Sequence, residues 1–143
     1  MPKPPAHEDL VAALQAQDPD AVPGRDVLAQ LARAVADALE RGAEPDRTAL
    51  KLACRGLAQE LAARVPGRTV ELRIPPYAAV QCVPGPRHTR GTPPNVVEVR
   101  PAAWVQLACG RLSWAEAAAD GRLQASGERA GLLAHELPLV PQG

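Results

Sequence analysis

"TVELRIPPYAAVQCV", residues 69–83, marks the point where the spacing of the apolar residues changes from the period of a helix to that of a strand. Val70, Leu72 and Ile74 alternate with Glu71 and Arg73, so the apolar side chains fall on one face of an extended chain. This alternation predicts a strand with one buried face and one face toward solvent.

Three further strands are predicted after this one. The prolines at 75–76 end the first strand, and "YAAVQCV" at 77–83 is the second. "VVEV" at 96–99 is a third short strand, and "RLQAS" at 122–126 is a fourth.

Two helices are predicted before the first strand. Asp26 caps a helix that ends at Gly42, and Asp46 caps a second helix that begins at about Arg47 and ends before Pro66. Apolar residues three and four positions apart give each helix one apolar stripe. The stripes consist of Leu28, Leu31, Ala32, Val35 and Leu39, and of Leu50, Cys54, Leu57 and Leu61.

Three more helices are predicted after the third strand. Pro101 stands in the first turn of a helix that stops at Gly110, where proline is tolerated. Ser113 and Glu116 have the spacing of a capping box that begins the next helix. A final short helix covers 128–137. Helices and strands are segregated along the chain, which predicts an α+β fold with a mostly antiparallel sheet.

The predicted domain organisation is simple. Five prolines interrupt residues 1–25, which we interpret as a Pro-rich N-terminal arm or a short helix. Residues 26–143 form a single domain of ordinary size.

Charge and composition exclude several classes of protein. Sixteen basic residues balance sixteen acidic ones, whereas a nucleic-acid-binding protein usually carries a basic excess. We expect no nucleic-acid partner. We also expect no signal peptide and no integral membrane segment, because no sufficiently long apolar run occurs. Three widely spaced cysteines favour free thiols and a cytoplasmic location.

"WVQLACGRLSWAEAAADGRLQASGERAGLLAHEL", residues 104–137, resembles the closing segment of sterol carrier protein type-2-like domains. Two Gly-Arg-Leu motifs, at 110–112 and 121–123, flank a helix that carries alanines. "VQCVPGPRHTRGTPPNVVE", residues 80–98, is similar to the bacterial, largely actinobacterial, branch named sterol carrier family protein. The resemblance covers about residues 26–138.

This resemblance implies a sheet of five strands covered by helices, with an apolar cavity for lipid between the two layers. The fifth strand comes from the family alone, since the chain itself shows four. The functional residues of the family are mostly apolar wall positions, so the resemblance implies no cofactor and no enzymatic activity.

The candidate binding residues are the apolar side chains that face inward from helices and strands. They are Leu31, Val35, Leu50, Leu57, Leu61, Leu72, Ile74, Trp104 and Leu107. Cavities and ordinary cores use the same residue types, so the pattern leaves open whether these side chains line a cavity or simply pack the interior.

"PGPRHTRGTPPN", residues 84–95, is the one concentration of polar groups. Its arginines have the geometry to hold a carboxylate or phosphate, and its prolines would pre-organise the backbone. We predict a polar rim for the ligand site at Arg87, His88, Thr89, Arg90 and Asn95. The alternative is a solvated connection between two strands.

Catalytic and metal-binding motifs are missing from the sequence. HExxH, CxxC, GxSxG and a phosphate-binding glycine loop do not occur. Cys82 and His88 could pair as nucleophile and base. The interpretation of Cys82 as a small buried hydrophobe is stronger. We therefore expect no catalytic residue and no metal ligand.

Three functions remain, in order of preference. The first is a non-catalytic carrier that binds a lipid or another apolar small molecule between sheet and helices. The second is a protein–protein interaction or regulatory module with the same fold and no ligand cavity, in which Trp114 would anchor a partner. The third is an enzyme acting on a small acidic substrate, with His88 as its base.

Overall fold

The computed structural model describes residues 3–85 and 95–141. Three helices are followed by three strands, two helices, a fourth strand and a 3₁₀-helix. Residues 86–94, which include Arg87, His88, Thr89 and Arg90, lie outside the described residues.

The N-terminal segment contains a helix, α1 (His7–Gln17). Leu14 is 1 % exposed, and α1 packs against the two helices that follow it. Of the two predicted alternatives, an arm or a short helix, the chain forms the helix, and this helix contributes to the core.

The next two helices, α2 (Val27–Glu40) and α3 (Arg47–Arg64), begin where the capping residues predict. The carboxylates of Asp26 and Asp46 each accept a hydrogen bond of 3.0 Å from the backbone N–H three residues later. These caps satisfy N–H groups that have no partner within the helix.

The sheet contains β1 (Val70–Ile74), β2 (Ala78–Cys82), β3 (Val96–Val99) and β4 (Leu123–Ser126), in the order β2-β1-β3-β4. The β1–β2 and β3–β4 pairs are antiparallel, whereas β1 and β3 are parallel. The described part of the chain thus has four strands where about five were predicted. The sequence shows four strand patterns, and only the family resemblance suggested a fifth.

The remaining helices are α4 (Pro101–Ala108), α5 (Trp114–Ala119) and a 3₁₀-helix (Ala130–Glu136). The hydroxyl of Ser113 accepts a hydrogen bond of 3.1 Å from the Glu116 N–H, which confirms the predicted cap of α5. The last helix is 3₁₀ rather than α, a form that proteins use in short segments such as this one of seven residues.

The two faces of the sheet differ in polarity. The register places Val70, Leu72 and Ile74 on the same face as Val80 and Val97, and all five side chains are buried in the core. The opposite face carries polar residues: Glu71, Arg73, Gln81, Glu98, Gln124 and Ser126. One apolar core therefore lies between sheet and helices. Within the described ranges, no helix is both long and apolar enough to cross a bilayer.

The turn from α3 into β1 depends on Gly67. Its φ is +153°, and a Cβ atom there would overlap the carbonyl oxygen of Val83. We expect Gly67→Ala to lower the free energy of unfolding by about 3 kcal/mol, because it adds a backbone clash to a strained φ. Urea denaturation measures this loss.

Gly42→Ala is the matched control, because Gly42 has a φ of +73° and open space around its Cα. A side chain in this left-handed region costs only about 1–2 kcal/mol. Equal losses in the two variants would contradict a clash with Val83.

Candidate functional site

The predicted lining residues do come together, in one apolar cluster between sheet and helices. Eight of the nine are at most 2 % exposed, and Leu50 is half-buried. They pack against one another and against the alanines of the helices. In the structure this cluster is the hydrophobic core.

Trp104 ties two helices of this core together. Its indole Nε1–H donates a hydrogen bond of 3.3 Å to the carbonyl oxygen of Cys54, which joins α4 to α3. Buried indoles usually find such a partner. The Trp104 side chain is thus buried, 2 % exposed, and held in place within the apolar interior.

An open groove lies at the edge of this interior, between α3 and strand β2. Its volume is about 530 Å³. The β1–β2 turn and β2 contribute its apolar lining residues, and α3, β1 and the N-terminal segment contribute polar ones. The lining residues are Lys3, Arg55, Gln59, Arg73, Pro75, Pro76, Tyr77, Ala78, Ala79 and Val80.

The groove is electropositive. Lys3, Arg55 and Arg73 line it, and no acidic residue is among its lining residues. Arg55 donates from Nε to the carbonyl oxygen of Tyr77 at 3.0 Å, so the guanidinium is held across the β1–β2 turn. Arg73 is neutralised in part by Glu71, whose Oε2 lies 2.7 Å from Arg73 Nη2.

The groove also borders the core. Val80 lines it and is 4 % exposed, and it belongs to the same cluster as the predicted lining residues. Tyr77 is half-buried and packs against that cluster. The groove is therefore adjacent to the apolar layer between α3 and the sheet.

Sequence reasoning did not find this groove. Arg55 lies off the apolar stripe of its helix, and the Pro75–Pro76 pair was treated only as the end of a strand. No local signal in the sequence marks the groove.

Of the predicted polar rim, the structure describes only Asn95. Asn95 is 5 % exposed and bridges two backbone groups. Its Nδ2 donates to Thr69 O at 3.0 Å, and its Oδ1 accepts from Arg129 N–H at 2.9 Å. The amide thus fastens the start of β3 to β1 and to the turn after β4, rather than projecting into an open site.

The three cysteines are buried and free. Burial raises the pKa of the Cys54 thiol to about 12 and the pKa of the Cys82 and Cys109 thiols to about 11. The Cys54 Sγ lies 3.5 Å from Pro101 O, so the thiol donates to a backbone carbonyl. Because the thiolate is the nucleophile, these protonated, enclosed thiols are poorly suited to covalent catalysis.

A second pocket, of about 290 Å³, lies at the C-terminal ends of β1 and β3 and shares Pro75 with the groove. Glu98, Arg100 and Arg122 line it, and Arg122 is paired with Asp120 at 2.6 Å. Its charges are mixed and largely compensated, so it favours no particular ligand. Among the described residues, no group of three or more His, Cys, Asp or Glu side chains is placed to hold a metal ion.

A search against protein-family models matches residues 46–139 to the family described as "Bacterial SCP ortholog". The match covers about two thirds of the chain and runs from the cap of α3 through the whole sheet and the 3₁₀-helix. It includes every lining residue of the groove except Lys3. No curated protein matches the chain.

Asn95 can be tested as a structural bridge. We expect Asn95→Ala to lower the free energy of unfolding by about 1–3 kcal/mol, because Thr69 O and Arg129 N–H lose their partner in a largely buried environment. Gln124→Ala, at an exposed position on β4, is the control and should change stability by less than about 0.5 kcal/mol. If Asn95→Ala loses ligand affinity but not stability, Asn95 belongs to the polar rim of the ligand site and is not a structural bridge.

The raised pKa values of the three cysteines predict that the stability of the protein falls at alkaline pH. In the unfolded chain the pKa of a cysteine thiol is about 8.5. In the folded protein the pKa of each thiol is higher, so all three stay protonated to higher pH. Unfolding therefore releases protons above that pH, and stability should fall as the pH rises toward 10 and beyond. The urea midpoint between pH 7.5 and pH 10 measures this slope.

Cys82→Ala should reduce that slope, since one of the three raised pKa values is removed. Iodoacetamide at pH 8 should leave the native protein unmodified and label three thiols after unfolding. Rapid alkylation of the native protein would contradict the enclosed state of the thiols.

Proposed function

The chain belongs to the bacterial SCP ortholog family, and from this membership we propose that it is a non-catalytic, carrier-like protein of the cytoplasm. Its ligand would be a lipid or another apolar small molecule, bound between the sheet and the helices. Such a role needs burial of apolar surface and no covalent chemistry.

The observation that carries this proposal is the groove beside the apolar layer. Pro76, Tyr77 and Ala78 form an apolar mouth, and Val80 connects this mouth to the core. A chain or ring system entering here would pass from solvent to the face of the sheet that the helices cover. The predicted wall residues would then receive it by moving apart.

The groove also suggests where the polar end of a ligand would stay. Lys3 and Arg55 stand at the mouth, outside the apolar layer. An acidic head group would be held there while the apolar part lies inside. The head-group position predicted for Arg87 and Arg90 stays a prediction, since those residues lie outside the described part of the chain.

Native mass spectrometry of protein purified without detergent tests whether a lipid is bound. After delipidation, a fluorescent fatty acid should bind saturably. Competition by unlabelled acids should strengthen about fourfold for each added methylene, because each buried methylene contributes about 0.8 kcal/mol. Absence of bound lipid together with absence of saturable uptake would overturn the proposed function.

Two variants of β2 test the entrance. Ala78 faces the helices and lines the groove, whereas Gln81 lies on the open face outside it. We expect Ala78→Trp to weaken fatty-acid binding by about tenfold, corresponding to about 1.4 kcal/mol, because the indole fills the mouth. Gln81→Trp adds the same ring and should leave binding unchanged. Equal binding by both variants would place the entrance elsewhere.

A further inference from the structure

Strand β2 is an edge of the sheet as far as the described residues show, with β1 as its single neighbour. The pairing tells which backbone groups face outward. Glu71 N–H donates to Asn95 O at 3.0 Å, so the backbone of Glu71 points toward β3. Its neighbour Leu72 must then point toward β2, where its partner is Val80. Ala79 and Gln81, on either side of Val80, therefore direct their N–H and C=O groups away from the sheet.

Both ends of this outward row are already occupied. Tyr77 O accepts the hydrogen bond from Arg55, and Val83 N–H donates to Val65 O at 2.7 Å. Between them, Ala79 and Gln81 are exposed and present two N–H and two C=O groups. Among the residues that the structure describes, the available edge is thus two residues that offer four hydrogen bonds.

The groove reaches this edge at Ala79, next to Gln81. Three consecutive residues of β2, Ala78, Ala79 and Val80, all line it, although their side chains alternate between the two faces of the sheet. Because successive side chains point to opposite faces, a groove lined by three consecutive residues touches the backbone edge of the strand. A molecule in the groove therefore meets open backbone groups as well as side chains.

The positive charge of the groove indicates which kind of molecule could bind there. Lys3 and Arg55, the latter on α3, line it, and Arg73 lines it from the open face of the sheet. A second copy of this chain would bring the same cations face to face, which opposes pairing of β2 with β2. An acidic segment would instead gain attraction on both sides.

We propose that β2 receives a short, extended, acidic peptide segment of a partner protein as an added strand. Backbone hydrogen bonds to Ala79 and Gln81 hold the segment, and acidic side chains at alternate positions meet Lys3 and Arg55 or Arg73. The segment lies across the mouth proposed above for the apolar ligand. The proposal does not require that ligand, so delipidated protein is used to test it.

The probe is a blocked, fluorescently labelled EVEVE peptide, with KVKVK as the matched control. Fluorescence anisotropy should show saturable binding of EVEVE, weakened by added salt, and at least tenfold weaker binding of KVKVK. Hydrogen exchange of the Ala79 and Gln81 amides should slow when EVEVE is bound.

Backbone methylation distinguishes strand pairing from simple charge attraction. One EVEVE peptide carries N-methyl groups on its valines, and a second carries them on its glutamates. Because alternate residues of a paired strand face the edge, one methylated peptide should lose binding while the other retains it. Loss of neither would show that no strand is added.

Variants of the protein localise the contact. Ala79→Pro removes an outward N–H without disturbing the pairing with β1, and it should weaken EVEVE binding about tenfold. Arg55→Glu should weaken binding about five- to tenfold. Gln124→Ala, at an exposed position on β4 at the opposite edge of the sheet, is the control that should bind normally. If Ala79→Pro does not fold, the methylated peptides still decide the question with the unaltered protein.

Three results would overturn the proposal. Equal affinity for EVEVE and KVKVK would show that the charge of the groove does not select the peptide. Unchanged hydrogen exchange at the Ala79 and Gln81 amides would show that the peptide does not bind to the edge of β2. If these amides become more protected from exchange as the protein concentration rises, without peptide, a second copy of the chain occupies the edge. Continued fatty-acid uptake in any of these cases would leave the proposed function standing.

Discussion

The short connection between α3 and β1 controls how the helical layer meets the sheet. Val83 N–H donates to Val65 O at 2.7 Å, and Thr69 N–H donates to Val83 O at 3.1 Å, so the end of β2 is bound to both sides of the turn. At the other end of the hairpin, Arg55 holds Tyr77 O. The β1–β2 hairpin is thus attached to α3 at both of its ends. These attachments set the groove at its observed place beside β2.

The helices are brought close to one another by their small residues. A Cβ atom at Gly56 would come within 2.5 Å of the Leu28 side chain, so α2 and α3 are in direct contact there. Ala32, Ala36 and Ala53 are fully buried in the same cluster. Close packing of this kind lets a chain without phenylalanine fill its interior with alanine and leucine. It also explains why the predicted lining residues contact one another.

Local patterns in the sequence predicted the elements well. The alternation at Val70, Leu72 and Ile74 and the caps at Asp26, Asp46 and Ser113 are confirmed, because such signals depend on a few neighbouring residues. The fifth strand was wrong for the described part of the chain, since it came from resemblance alone. The periodicity of the apolar residues also indicates which side chains face inward. It does not indicate how much space remains between them, because that space depends on the distance between the helices and the sheet.

The groove could not be predicted because it is made by tertiary contacts. Arg55 belongs to α3 and Tyr77 to the turn after β1, and a hydrogen bond between side chain and backbone joins them across 22 positions. Asn95 shows the same difficulty, because its amide looks like a surface group until its two buried backbone partners are known. Side-chain type alone does not distinguish a residue that binds a ligand from one that fastens a loop.

The shortness of the open edge has a consequence for the behaviour of the protein at high concentration. Long, flat strand edges are templates on which unrelated chains add in succession and form fibrils. Here Arg55 at one end and Val65 at the other stop the row of open groups after two residues. One short segment can pair with such an edge, but a growing stack of strands finds too few partners to continue. The same hydrogen bonds that position the hairpin thereby protect the folded chain against aggregation through β2.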